Sequence, residues 1–148
     1  MQNTHLPSVA LRAFLVAATL AGAAASALAQ GSPLERGRYL VTTIMACGNC
    51  HTPKDAEGRA IAGKELAGGG YGFDIPPFAG TAANITPDNE TGIGAWSDAE
   101  IKRAITQGVG RDGRRMQEPM AFAWYAGIRD EDLDAIVAYL RTLPPIAR

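Results

Sequence analysis

Cysteine and histidine are scarce in this 148-residue chain, at two each. Two cysteines exclude a disulfide-dense scaffold and cannot fill a four-cysteine zinc site, so whatever they do, they do as a pair. Net charge is almost absent, at −1 from 14 basic and 15 acidic residues, which excludes the broad basic face of a nucleic-acid binder. Period-two alternation is missing, so no strand is predicted. Internal repeats are missing too, as are low-complexity tracts outside the first thirty residues. A nucleophile beside a base, a paired acidic site and a phosphate loop are all lacking. The chain is therefore not expected to be an enzyme.

What the chain does have begins with a leader. His5 and Arg12 flank an alanine- and leucine-rich run from Ala13 to Ala25, and Ala27-Leu28-Ala29 is an A-x-A cleavage site. Thr19, Gly22 and Ser26 interrupt the apolar stretch, which is shorter than the roughly 20 residues that span a bilayer. Residues 1–29 are thus expected to be a cleaved signal peptide rather than an anchor, and residues 30–148 the exported, periplasmic domain. His51 is then the only histidine of the mature chain. The 47% hydrophobic content overstates the core, because the leader inflates it.

Three helices are predicted in the mature part. Ser32-Pro33-Leu34-Glu35 is a capping box with proline at the first helical position, opening a helix through Arg38, Leu40, Val41 and Ile44 towards Met45. Ser97-Asp98-Ala99-Glu100 is a second box, stapled by Trp96 and Ile101 and stopped by Gly108. The third starts near Asp130, carries Leu133, Ile136, Val137 and Leu140 on one face, and ends before Pro144-Pro145. Ala121–Ala126 adds a short helical turn. Between Pro53 and Ala95, where nine of the 17 glycines fall, neither period is sustained. A stretch that long without elements implies wrapping around something. Three short helices make a thin core, which a large buried cofactor would complete.

Cys47-Gly48-Asn49-Cys50-His51 is the C-x-x-C-H sequence of c-type haem attachment. Cysteines three apart on a helical turn lie on one side and can reach the two vinyl groups of one haem. The histidine that follows can bind the iron as proximal ligand. Covalent attachment would consume both thiols, and it takes place outside the cytoplasm, in keeping with export. Three other uses remain open at this point. A zinc site would need a fourth ligand. A thioredoxin-like dithiol would need a βαβ context. A disulfide between Cys47 and Cys50 would close only a very small loop.

An electron-transfer haem needs a sixth ligand, and without a second histidine methionine is the natural choice. Met45 lies on the proximal side. Met116 sits among Arg114, Arg115, Gln117 and Glu118, a solvated setting. Met120 follows Pro119 and opens the apolar run Ala121-Phe122-Ala123-Trp124-Tyr125, so it is the favoured ligand; core filler is the commoner fate of any methionine.

With these residues in place, the chain resembles a monohaem class I cytochrome c, of the kind that serves as the cytochrome c subunit of proteobacterial periplasmic dehydrogenases. The resemblance rests on Cys47 to Pro53, on Asn84-Ile85-Thr86-Pro87-Asp88 leading through Gly92-Ile93-Gly94 to Trp96-Ser97-Asp98, on Asp112-Gly113-Arg114-Arg115, on Pro119-Met120, and on Ala138-Tyr139-Leu140-Arg141. It implies an all-α fold in which three main helices and long loops wrap a covalently attached haem. It further implies that Cys47 and Cys50 are the thioether sites and that His51 and Met120 are the iron ligands. The first and third helices should cross at Gly37, with Tyr139 packing over it. The protein would carry one electron from a periplasmic redox protein or dehydrogenase to a terminal oxidase or another cytochrome, touching membranes only through partners. A thiol-disulfide oxidoreductase, or a haem sensor with an open distal site, are the alternatives. Two positions depart from the family pattern. Ala121 replaces the usual proline after the methionine, and Arg129 replaces a small polar cap, moving the cap to Asp130.

Lys102, Arg103, Arg111, Arg114 and Arg115 form a basic stretch before Met120, suited to docking an acidic partner or to countering haem propionates, and equally to a solvated face. The helix dipole suffices to explain Asp130, Glu131, Asp132 and Asp134 at a helix N-terminus. Trp96, Tyr39 and Tyr139 are expected in the core.

Overall fold

The computed structural model describes residues 31–69, 72–75 and 78–148. The predicted leader and its cleavage site lie outside them. The chain divides between Ser32 and Pro33, and Pro33–Arg148 forms the unit described below. No helix among the described residues is long and apolar enough to cross a membrane.

The first helix, α1, runs Pro33–Tyr39, starting at the proline the sequence marked. It then widens into a π-turn over Leu40–Ile44, where the Met45 N–H donates to the Leu40 carbonyl at 2.8 Å. The sequence predicts continuous α-helix here. Four consecutive residues, Val41-Thr42-Thr43-Ile44, are β-branched and crowd a regular turn. The extra residue in the turn leaves Leu40 and Val41 buried and turns Ile44 out to solvent at 58% exposure, although helical spacing would have put Ile44 on the buried face. Tyr39, expected in the core, is also 47% exposed.

A single-turn helix, α2 (Gly48–His51), follows. The long middle region then contains an element the sequence did not disclose, a hairpin of β1 (Gly72–Ile75) and β2 (Phe78–Thr81). Its antiparallel register runs from Gly72 opposite Thr81 to Ile75 opposite Phe78. Strands of four residues are too short to show a period of two. Helix α3 spans Asp98–Gln107. Its capping box is complete, with the Ser97 hydroxyl accepting from the Glu100 N–H at 3.2 Å and a Glu100 carboxylate oxygen accepting from the Ser97 N–H at 2.7 Å. Gly108 closes it. The short α4 is Phe122–Tyr125, and α5 is Asp130–Arg141. The fold is mostly helical, with α1, α3 and α5 as its framework.

Apolar spacing explains the core. Leu133, Ile136, Val137 and Leu140 of α5 pack with Leu40 and Val41, with Ile101 and Ile105 of α3, and with Leu66 and Ile93 from the loops. Ile136 and Val41 are each 1% exposed, and burying such a side chain contributes about 1.5–3 kcal/mol. Helices α1 and α5 cross at Gly37, as expected. A β-carbon there would lie 1.9 Å from the Ala135 carbonyl oxygen and 2.9 Å from the Tyr139 β-carbon.

Polar links supplement this packing, and the dipole account of the acidic cluster proves incomplete. Asp132 is buried and takes a two-pronged contact from Arg36, at 2.7 and 3.1 Å, that ties α1 to α5. These hydrogen bonds hold its carboxyl down to about 2. The cap of α5 is Arg129, not Asp130. Arg129 makes no side-chain capping bond and instead reaches Asp132 at 3.0 Å. Lys102 is ion-paired with Asp134, so it braces α3 against α5 and is not a free docking charge. Arg141 donates to the carbonyls of Ile93 and Gly94 at 3.1 and 3.2 Å and to Asp98 at 2.9 Å, fixing the loop that leads into α3.

Candidate functional site

The C-x-x-C-H segment is shaped by what precedes it. The Cys47 N–H reaches back to the Val41 carbonyl at 3.0 Å, and Ala46 takes a left-handed φ of 46°, which aims the chain into α2. The His51 and Thr52 N–H groups then donate to the Cys47 and Gly48 carbonyls at 2.9 and 3.1 Å. This closed turn puts the two half-buried thiols, unbridged, three residues apart on one side.

His51 is oriented by a residue far along the chain. Its Nδ1 lies 2.8 Å from the Ala83 carbonyl oxygen. A carbonyl can only accept, so Nδ1 carries the proton and Nε2 keeps its lone pair for a metal. Burial lowers the pKa of His51, with the Ala83 contact opposing in part, and a neutral ring is the ligating form. The sequence named His51 but offered no sign of Ala83, whose contribution is a backbone atom.

Burial pushes the Cys47 thiol up to about 11. Thiol-disulfide exchange needs a thiolate at neutral pH, a form that burial disfavours at Cys47. A thioether, which is neutral, suits it. Tyr125 of α4 lies near both cysteines, and its own pKa is raised first by burial and then by the two thiols.

Met120 and Met116 have different surroundings. Met120 packs against the hydrophobic core, as do Cys47 and Tyr125. Met116 lines a cavity of about 610 Å³ together with Trp96, Arg111, Asp112, Arg114 and Arg115. Neither His51 nor Met120 lines that cavity. Its volume falls in the range of cofactor sites, about 300–1,000 Å³, and its lining is strongly basic.

The residues present fit a covalent haem. Two thiols, an imidazole nitrogen and a thioether form a donor set that haem iron and its vinyl groups can use. Arg103 supplies a further sign. Its side chain donates to the Gly110 carbonyl at 3.1 Å, yet its Nε is buried without a partner among the described residues. A buried N–H left open in this way calls for an acceptor, and a haem propionate would be one. The sequence had placed Arg103 in the basic stretch without separating it from its neighbours. Of those, Arg114 is taken up by Asp112 at 2.5 Å, Arg111 has only a 3.9 Å contact with Glu100, and Arg115 has no ion-pair partner among the described residues.

Together, the closed turn bearing two thiols and the histidine locked in its ligating tautomer define a site of the c-type haem class. Comparison with known proteins agrees. The family model described as Cytochrome c matches residues 34–144. A nicotinate dehydrogenase subunit of Pseudomonas putida is 38% identical over 113 residues, covering 76% of this chain and 9% of that protein. The fructose dehydrogenase cytochrome subunit of Gluconobacter japonicus is 37% identical over 112 residues, 74% of this chain and 22% of the relative. The gluconate 2-dehydrogenase cytochrome c subunit of Pantoea cypripedii is 33% identical over 136 residues, 90% of this chain and 29% of the relative. The chain thus spans less than a third of the length of each. It belongs to the cytochrome c family, whose business is electron transfer on covalently bound haem.

Proposed function

We propose that this chain carries single electrons on one haem c in the periplasm, accepting them from a dehydrogenase and passing them to another cytochrome or a terminal oxidase. Cys47 and Cys50 would hold the haem, with His51 and Met120 as axial ligands. The observation that carries this assignment is the His51 Nδ1 contact with Ala83 beside the paired thiols. The relatives' names, cytochrome subunits of fructose and gluconate dehydrogenases, support a dehydrogenase as donor.

Haem supplies the one-electron iron couple, and the chain's residues set its surroundings. His51 would present Nε2 while the Ala83 carbonyl, accepting from the Nδ1–H, keeps the proton on Nδ1. Met120 brings a thioether backed by the apolar core, and methionine ligation raises the potential relative to two histidines. Arg103, with the arginines of the basic cavity, would neutralise the propionates. Oxidation of an organic substrate would fall to the partner. Trp124, four residues beyond Met120 and 82% exposed, offers an apolar contact for that partner.

Absorption spectroscopy of the protein expressed with a c-type haem maturation system tests the assignment. A pyridine haemochrome typical of two thioethers is expected, with a weak far-red methionine–iron band in the oxidised form that Met120→Leu abolishes. Absence of haem would refute the electron-carrier assignment. A far-red band that survives Met120→Leu would move the distal ligand elsewhere.

A further inference from the structure

The carbonyl that holds His51 belongs to Ala83, which is exposed and has no side chain able to fix its own backbone. The residue after it does that. Asn84 is 4% exposed, and its amide uses all of its hydrogen-bonding capacity. Its Oδ1 accepts from the Thr86 N–H at 2.9 Å and the Thr86 hydroxyl at 2.8 Å. Its Nδ2 donates to the Thr91 hydroxyl at 3.0 Å and to the Ile146 carbonyl at 2.7 Å.

Thr86 and Thr91 are themselves tied to the segment that holds Ile146. Thr86, 0% exposed, accepts from the Ile146 N–H at 3.2 Å. Thr91 accepts from the Arg148 N–H at 3.1 Å and donates to Asp88 at 2.8 Å. Backbone bonds flank Ala83 as well: before it the Gly69 N–H donates to the Ala82 carbonyl at 2.9 Å, and after it the Ile85 N–H donates to the Leu66 carbonyl at 3.0 Å. The Gly68 N–H between them donates to His51's own carbonyl at 2.7 Å. Ala83 is therefore gripped on both flanks, and the polar half of the grip converges on one buried amide.

We propose that Asn84 is a positioning residue for the proximal ligand: through it, the segment Ile146–Arg148 fixes the Ala83 carbonyl, and with it the hydrogen bond that orients His51 and sets its donor strength. This rests on His51 being the proximal ligand. A firm Nδ1–H bond makes the ring a stronger donor through Nε2, which favours the ferric state. Loosening it raises the reduction potential and opens the Nδ1–H to solvent. Neither Asn84 nor the 146–148 segment needs to touch the haem for this to happen.

The test uses the full-length haem-loaded protein and reads two quantities, the exchange rate of the His51 Nδ1 proton by NMR in the ferrous state and the reduction potential. Asn84→Ala and Thr86→Val are expected to speed the exchange about tenfold or more, as loss of a buried hydrogen bond would, and to raise the potential, with the far-red methionine–iron band intact. Thr86→Ser, which keeps the hydroxyl, should behave as wild type. Deleting residues 146–148 should reproduce the Asn84→Ala shifts, and it carries the test should Asn84→Ala not fold. Ile136→Val, a core change touching none of these groups, is the control for lost stability. Equal exchange and potential in wild type, Thr86→Val and the deletion would overturn the proposal. So would equal shifts in Ile136→Val. If the wild-type protein holds no haem, or His51→Ala leaves the haem spectrum unchanged, the ligand assignment fails instead, and the two failures are told apart by the wild-type and His51→Ala spectra.

Discussion

The two segments assigned to the axial ligands are built on different principles. The proximal one is a polar lattice: His51 leans on Ala83, Ala83 sits between backbone bonds to Leu66 and Gly69, and Asn84 and Thr86 are buried and mutually satisfied. The distal one, from Val109 to Ile128, is held by local contacts. The Met116 N–H returns to the Gly108 carbonyl at 2.7 Å, Gly110 pairs with Arg114, and α4 is a single turn whose Trp124 points to solvent. Met120 is kept in place by apolar packing. Directional bonds specify an orientation, whereas dispersion specifies only proximity. The contrast suits the chemistry. The imidazole ring must be rotated correctly and hold one tautomer, while a flexible thioether needs only to be nearby in a dry place.

One substitution, made on each side, breaks or upholds this contrast most directly. Gly68 and Gly113 share a φ of 79°, so alanine is strained equally at both. At Gly68 the new β-carbon would lie 2.5 Å from the Asn84 backbone nitrogen and 2.6 Å from the Ala83 carbonyl carbon. Gly68→Ala must therefore push the proximal loop away and is expected to cost about 3 kcal/mol or more, strain and overpacking together. Denaturant unfolding of the haem-loaded protein measures this. A cost no larger than that of Gly113→Ala would mean that the proximal lattice yields easily and is not the stiffer side.

Next in size is the proposed distal ligand, Met120. Met120→Leu keeps the volume and the packing, so haem content and helical circular dichroism should be unchanged while the far-red band disappears and the reduction potential falls. The open position should then take up added imidazole at low concentration. If Met120→Leu instead lowers haem yield as far as His51→Ala does, the distal residue is structural and the two sides are alike.

A smaller effect separates both ligand segments from the helical framework. The Asp132 carboxyl is held down to about 2 by Arg36 and then Arg129, below its unfolded value of about 3.9. A lowered carboxylate pKa contributes stability that is complete above the unfolded value and lost as pH falls through the folded one. Between about pH 4 and pH 2 the wild type should lose the α1–α5 tie, while Asp132→Asn, weaker at neutral pH, should show a shallower slope in that window. Parallel slopes would show that another group governs acid unfolding.

Much of this framework was legible in the residues. Pro33, Ser97 with Glu100, and Gly108 marked helix ends because capping is local chemistry. Gly37 marked the crossing, although through family resemblance. Cys47, Cys50 and His51 were legible because their spacing is itself the chemistry. The proximal lattice was not. Its links run from His51 to Ala83 and from Asn84 to Ile146, several through backbone atoms, which every residue carries and no sequence pattern displays. Asp132 was likewise read as one of four acidic residues at a helix start, since its partner Arg36 lies on another helix. The hairpin was missed because its strands are four residues long.

The smallest expected effect is on the distal side. Beyond its chain neighbours, no atom of the described residues lies within 4 Å of where a β-carbon at Gly113 would stand, so Gly113→Ala meets only the backbone strain of a left-handed residue, about 1 kcal/mol. The turn it occupies is closed by the Gly113 N–H donating to the Gly110 carbonyl at 3.0 Å and by Asp112 accepting from the Arg114 N–H at 3.0 Å. Neither bond involves Met120. The variant should keep its far-red band, its potential and its haem content, and lose only a few degrees of melting temperature. A change in potential matching that expected of Asn84→Ala would mean that strain travels from this exposed turn to the iron. The distal segment would then be as directional as the proximal one, joined through bonds to the haem periphery and not through packing alone.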